Sequence, residues 1–113
     1  MAIHGIHLTR IGRGNFLLEP LSSLNLQEIG VLLQEIVALL QQGRGSRLYY
    51  DLSGLPVIDQ VYYDWLDKLA RVCLAVNVRM VCINMQPTAA FALAKFIDRK
   101  PIFETASVVP DEN

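Results

Sequence analysis

The residues best suited to chemistry lie in segment 51–64, which reads DLSGLPVIDQVYYD. Asp51 and Asp59 are two carboxylates that could exchange protons with a substrate, and Ser53 adds a hydroxyl between them. The sequence places no phosphate-binding glycine loop, metal-ligand set or nucleophile–base pair beside them. We therefore expect no enzymatic activity, and predict that both aspartates cap a helix or hydrogen-bond a loop.

Histidine and cysteine supply the other reactive side chains. His4 and His7 are three residues apart, a spacing that directs strand side chains to opposite faces, so we expect no metal site there. Cys73 and Cys82 are too few for a zinc site and lie in apolar segments, where cysteine behaves as a small hydrophobic residue. We predict two buried, reduced thiols and no cofactor.

Composition limits the class of protein. A chain of 113 residues predicts a single domain spanning 1–113, and 52% apolar with 19% charged residues is typical of a folded globular protein. The formal net charge of −1 gives no general attraction to nucleic acid or to anionic membranes. The sequence has no membrane-spanning apolar run, and MAIHGIHLTR does not resemble a secretory signal, so we expect a cytoplasmic protein.

Hydrophobic patterns predict a hairpin followed by alternating helices and strands. The hairpin pairs residues 3–11 with 15–18, and a capping box from Asn25 to Glu28 predicts a helix to about Gln42. Residues 47–52 and 78–84 are typical of central parallel strands covered on both faces. The remaining predicted elements are a helix capped by Asp59 with Tyr62, Trp65, Leu66, Leu69 and Cys73 on its buried face, a helix from Pro87 to about Ile97, and an edge strand over 102–105.

These elements define an α/β fold, a mixed β-sheet with an N-terminal hairpin and helices packed on the sheet. In such sheets the loops after the strands form the binding edge. Segment 51–64 lies at that edge, and Gln60 projects from the first turn of the helix that Asp59 caps. Asp64 and Lys68 are spaced as an exposed ion pair on the same helix.

The strings YYDLSGLPVIDQ and MVCINMQPTAAFALA, with this order of elements, resemble the STAS domain of bacterial anti-sigma factor antagonists and of stressosome scaffold proteins of the RsbS and RsbR kind. The resemblance covers roughly residues 3–105, and its most specific part is the run from Asp51 to Asp59. It implies a STAS-like fold and a non-enzymatic protein-interaction module. The implied partners are other STAS-domain proteins, further copies of this chain, and a serine-protein kinase of the switch type or an anti-sigma factor.

The sequence departs from this family at its regulatory positions. The resemblance implies a phosphorylated serine or threonine directly after the second aspartate, where this chain has Gln60, whose carboxamide has neither a hydroxyl nor a charge. A second phosphorylated threonine of the large scaffolds falls on Ala92. Pro110 stands where most members continue into a final helix, so we expect an uncovered patch available to a partner.

We predict that the partner-binding surface lies along the start of the second helix, with Tyr63 leaning outward as a contact residue. Its residues are Ser53, Gly54, Asp59, Gln60, Tyr63 and Asp64. The alternative is a small-molecule-binding or catalytic domain that uses the crevice at Asp51, Ser53 and Asp59. The sequence leaves open whether control by phosphorylation is lost or moved to another residue.

Overall fold

The structure, a computed structural model, describes residues 2–95 and 100–110. Within these residues the elements follow in the order β1 (Ala2–Ile3), β2 (Ile6–Gly12), β3 (Asn15–Pro20), α1 (Ile29–Gln42), β4 (Arg47–Asp51), α2 (Gln60–Ala75), β5 (Arg79–Ile83), α3 (Pro87–Ala94) and β6 (Glu104–Ala106). The strands form one sheet in sequence order. Strands β1 to β3 pair antiparallel and β3 to β6 pair parallel, which confirms the predicted mixed sheet.

Strands β4 and β5 lie next to each other in the sheet, as their apolar runs predicted. Leu48 is in register with Met80 and Tyr50 with Cys82, so alternate side chains of both strands point to the same face. Strand β6 lies at the sheet edge as predicted, although it covers Glu104–Ala106 rather than residues 102–105. The parallel arrangement brings the ends of β4 and β5 to the same edge of the sheet.

The hydrophobic core lies between one face of the sheet and the three helices. Helix α1 buries Leu32, Ile36 and Leu40, which recur every four residues and form one stripe. Burying each such side chain contributes roughly 1.5–3 kcal/mol before entropy costs. Helix α2 buries Trp65, Leu66, Leu69, Ala70 and Cys73 on the same face.

The opposite face of the sheet is covered by a smaller cluster of side chains. We expected central strands covered on both faces, and both faces are buried, although the buried residues of all three helices belong to one core. On the other face Tyr49, Val81 and Ile83 form a smaller cluster with Leu17, Ala106 and Val109 packed against it. The apolar run of β5 therefore reflects one face covered by helices and another covered by neighbouring side chains and the segment after β6.

The predicted first strand is divided in two. His4 and Gly5 have positive φ angles of 42° and 87°, and they turn the chain between β1 and β2. A Cβ atom at Gly5 would lie 2.5 Å from the Leu24 Cα, so glycine is required there by space as well as by backbone conformation. The backbone N–H of Leu21 donates to the Gly5 carbonyl at 2.8 Å, which joins this turn to the segment after β3.

The predicted capping box is wrong. Asn25 Oδ1 accepts from the backbone N–H of Gln27 at 2.9 Å, and α1 begins only at Ile29, with no side-chain hydrogen bond from its N-cap, Glu28. A local asparagine turn has thus replaced the helix start, a known competition for this residue type. Helix α3 begins at Pro87 as predicted and ends at Ala94, while its predicted end at Ile97 lies outside the described residues.

Candidate partner-binding site

The loop after β4 is held from its own strand and from the neighbouring one. Asp51 Oδ1 accepts from the backbone N–H of Ser53 at 2.9 Å and from Asn84 Nδ2, directly after β5, at 3.2 Å. Asn84 has a φ of 58°, a conformation that asparagine tolerates better than most residues. The predicted role of Asp51 in loop hydrogen bonding is confirmed.

The same loop is also attached to the start of α3. Gln86 Nε2 donates to the Ser53 carbonyl at 2.6 Å, and Thr88 Oγ1 donates to the Pro56 carbonyl. The side chains of Ser53 and Val57 nevertheless remain exposed, as does Gly54. The backbone is therefore fixed by neighbouring elements while its outer surface faces solvent, which is an arrangement suited to binding without reorganisation.

Helix α2 begins as the sequence predicted. Asp59 is the N-cap, with extended backbone angles of −90° and 179°, and its Oδ1 accepts from the backbone N–H of Tyr62 at 2.8 Å. Gln60 is the first helical residue and is exposed. Its Nε2 donates to Asp64 Oδ1 at 2.9 Å, so Asp64 is bonded to a neutral amide in place of the predicted pair with Lys68.

Tyr63 is less accessible than predicted. Its ring is half-buried and makes an edge-to-face contact with Phe103, with ring centroids 6.1 Å apart. Phe103 is itself buried, just before β6. The expectation that Tyr63 leans outward is therefore wrong in part, because the hydrophobic ring of Phe103 provides it with a contact inside the domain.

A chain of hydrogen bonds between side chains links β4 to α2. Trp65 Nε1 donates to the Tyr50 hydroxyl at 2.8 Å, and the Tyr50 hydroxyl bonds the Tyr62 hydroxyl. Since Tyr50 is fully buried and already accepts from Trp65, its own O–H donates to Tyr62. Burial raises the pKa of Tyr50 well above its usual value and that of Tyr62 to about 12. Tyr50 lies on the core face of β4, and the sequence did not predict that it belongs to this hydrogen-bond chain.

A cavity of about 640 Å³ opens beside these hydrogen-bonded side chains, between the segment after β3 and the loop after β4. Aliphatic walls from Pro20, Leu24 and Leu55 meet polar groups at Ser53 and Tyr62. Asp51 also lines the cavity. Asp59, the third polar group of the alternative prediction, is not part of the lining and instead caps α2.

The histidines and cysteines do not form a common site. His4 Nε2 contacts Glu35 Oε1 at 3.0 Å, whereas His7 Nδ1 contacts Thr9 Oγ1 at 3.1 Å, so the two rings have separate partners. In the described part of the chain, no three histidine, cysteine or acidic residues are grouped to hold a metal ion. Cys73 and Cys82 are free and buried, and burial raises the pKa of both thiols, to about 12 for Cys73.

Three solved structures resemble this chain. An RsbS of Moorella thermoacetica with a serine-to-glutamate substitution is 18% identical, with 92% of this chain and 87% of that chain covered and a TM-score of 0.71. The NMR structure of the protein TM1081 is 12% identical, with coverages of 96% and 84% and a TM-score of 0.72. The anti-sigma factor antagonist SpoIIAA in its unphosphorylated form is 15% identical, with coverages of 92% and 89% and a TM-score of 0.60.

These likenesses establish the fold. The chain has the mixed sheet and packed helices of a STAS domain, as the sequence resemblance implied, and its structural neighbours include an RsbS and an anti-sigma factor antagonist. No protein-family model and no curated protein matches the chain. None of the helices that the structure describes is long and apolar enough to span a membrane.

Proposed function

We propose that this chain is a non-enzymatic regulatory STAS module that binds other proteins through the edge where β4 leads into α2. The observation that carries the proposal is the fixed loop with an exposed outer surface. Asp51, Gln86 and Thr88 hold its backbone, and the exposed groups include Ser53, Gly54, Asp59, Gln60 and Asp64, with Tyr63 half-buried beside them. A preformed surface of this kind loses little conformational entropy when a partner binds.

The hydrogen bonds at this edge favour binding over catalysis. The Asp59 carboxylate is used to cap α2, and the Asp51 carboxylate is used to hold the loop. Both aspartates therefore have structural partners that account for their positions. Acid–base catalysis by these two aspartates would require one reacting atom of a substrate to lie within hydrogen-bond reach of both carboxylates.

Gln60 is proposed to act as a contact residue that cannot be phosphorylated. Its Nε2 is bonded to Asp64, so its amide oxygen is the group that a partner donor would reach. A phosphate at this position would add close to two negative charges beside the carboxylates of Asp59 and Asp64, a repulsion that the helix dipole offsets only in part. Glutamine keeps this surface in one charge state, so partner binding here would not respond to a kinase at this residue.

The proposed partners follow the neighbours of the fold. One neighbour is named as an anti-sigma factor antagonist described in its unphosphorylated form, and another is an RsbS in which a serine is replaced by glutamate. We propose that this chain, acting as one domain over residues 1–113, assembles with itself and with other STAS-domain proteins. It would also engage a switch-type serine-protein kinase or an anti-sigma factor.

Isothermal titration calorimetry with purified proteins tests the proposal. The ligands are a STAS-domain protein and a switch-type serine kinase encoded in the same genome, and the variants are Gln60→Arg and Gln60→Glu. The control is Gln34→Arg, which makes the same charge change at an exposed position of α1. We expect at least a tenfold loss of affinity for Gln60→Arg and a smaller change for Gln60→Glu, whose added charge has the same sign as Asp59 and Asp64; Gln34→Arg should bind as the wild type does. Equal affinity for all four proteins would remove Gln60 from the interface.

The cavity favours a second candidate function, the binding of a small molecule. Its volume lies within the range of small-molecule sites, and Tyr62 lines it with a hydroxyl proton that is not used by Tyr50. A panel of metabolites screened by thermal denaturation tests this candidate. A ligand that raises the melting temperature of the wild-type chain but not of Ser53→Leu would support it, and a panel without such a ligand would leave protein binding as the better account.

A further inference from the structure

Three large apolar side chains are exposed along one edge of the molecule. Val57 in the loop before α2 is 56% exposed, Val61 in the first turn of α2 is 62% exposed, and Phe91 in α3 is 71% exposed. A group of large exposed apolar side chains is unusual on a surface that only contacts water, and it is typical of binding sites.

One hydrogen bond places α3 against the loop that carries Val57. Thr88 Oγ1 donates to the carbonyl of Pro56, the residue before Val57, so the first turn of α3 lies against this loop. Phe91 follows Thr88 by three residues, and residues with this spacing occupy the same face of a helix. Phe91 therefore continues the loop surface by one helical turn, which extends the proposed site beyond α2.

The surroundings of these apolar residues carry negative charge. Segment 51–64 contains three aspartates and no lysine, arginine or histidine. The described partners of all three carboxylates are neutral: Asp51 accepts from an amide side chain and a backbone N–H, Asp59 from a backbone N–H, and Asp64 from an amide side chain. Lys95 Nζ lies 5.1 Å from the centroid of the Phe91 ring, at the far end of the surface. The side near α2 is thus an acidic rim whose carboxylates have neutral hydrogen-bond partners.

We propose that Val57, Val61 and Phe91 form the apolar centre of the docking surface, and that its occupant is a protein segment with apolar side chains flanked by lysine or arginine. This inference rests on the proposed function and specifies the chemistry of its partner. Apolar contact at the centre provides most of the affinity, whereas the opposite charges at the rim speed association and select the partner. The position of Phe91 makes α3 part of the interface.

Variants of the full-length chain test the proposal against the same two purified partners. Phe91→Ala should weaken binding about tenfold or more, because truncating a central aromatic contact commonly costs more than 1 kcal/mol. The matched control is Val31→Ala, which truncates an apolar residue that is 57% exposed on α1. The double variant Asp59→Asn with Asp64→Asn keeps a good N-cap, and should slow association and flatten its dependence on salt.

The outcomes separate the two proposals. No binding of the wild-type chain to either partner would overturn both. Binding that Gln60→Arg weakens but Phe91→Ala leaves unchanged would overturn the extended surface alone, and unchanged salt dependence in the double asparagine variant would overturn the basic character of the partner. If sedimentation shows that Phe91→Ala only dissociates a homodimer, the occupant is a second copy, and the proposal is wrong.

Discussion

Replacing Tyr50 by phenylalanine should destabilise the domain far more than the loss of one oxygen atom suggests. The hydroxyl accepts the buried Trp65 N–H at 2.8 Å and bonds the Tyr62 hydroxyl. Phenylalanine keeps the ring but leaves the Trp65 donor without an acceptor in the core. An unsatisfied buried donor costs about 1–3 kcal/mol, and the lost bond to Tyr62 adds about 1 kcal/mol.

We therefore expect Tyr50→Phe to lower the free energy of unfolding by about 2–4 kcal/mol, which corresponds to a fall in melting temperature of roughly 10–15 °C for a domain of this size. Urea unfolding followed by far-UV circular dichroism measures this change without depending on Trp65, the single tryptophan of the chain. Tyr62→Phe should cost less, about 1–3 kcal/mol, because it removes one bond and leaves the buried Tyr50 hydroxyl without an acceptor.

Tyr49→Phe is the matched control for this experiment. Tyr49 is also buried, with 3% exposure, but it lies on the opposite face of β4 in the smaller cluster. Its replacement should change the free energy of unfolding by about 0.5 kcal/mol or less. If Tyr50→Phe is as stable as Tyr49→Phe, the hydrogen-bond chain does not contribute to stability and the reasoning is refuted.

Three further results are expected. Asp59→Ala should lower the free energy of unfolding by about 1 kcal/mol through loss of the N-cap bond to Tyr62, while Asp59→Asn should lose little. The free energy of unfolding should fall as pH rises from about 9 towards 12. Burial raises the pKa of Tyr62 from 10.0 and of Cys73 from 9.0, each to about 12, so the folded state holds more protons than the unfolded state in this range. Equal free energies of unfolding from urea titrations at pH 8 and pH 10.5 would contradict this. Gln60→Ser should accept one phosphate from a kinase that binds this edge, as detected by mass spectrometry, whereas the wild-type chain should accept none at residue 60.

Much of the fold was predictable because its signals are local. The apolar runs of β4 and β5, the proline that opens α3 and the N-cap of α2 each depend on a few consecutive residues, and the structure has all of them. The capping box failed because Asn25 has two local hydrogen-bonding choices, and the asparagine turn to Gln27 was the one adopted. The break at Gly5 depends on its approach to Leu24, a contact that the sequence pattern does not contain.

The features of the candidate site that depend on neighbouring residues were predictable from the sequence, whereas its contacts between distant segments were not. The position of Gln60 after the Asp59 cap follows from residue order, and it was predicted correctly. Hydrogen bonds from Gln86 and Thr88 to the loop join segments that are more than 30 residues apart in sequence. The exposure of Phe91 on α3 likewise depends on how these segments pack. Such contacts are fixed by the packing of parallel strands and helices, so they appear only when the fold is assembled.

Hydrogen–deuterium exchange on the complex tests most directly the claim that this chain binds proteins through the edge between β4 and α2. The wild-type chain is compared free and saturated with the switch-type kinase or the STAS-domain protein. Slower exchange of the backbone amides of residues 53–64 and of the first turns of α3 on binding is the predicted result. Protection confined to the opposite face of the sheet, around Tyr49 and Val81, would contradict the account.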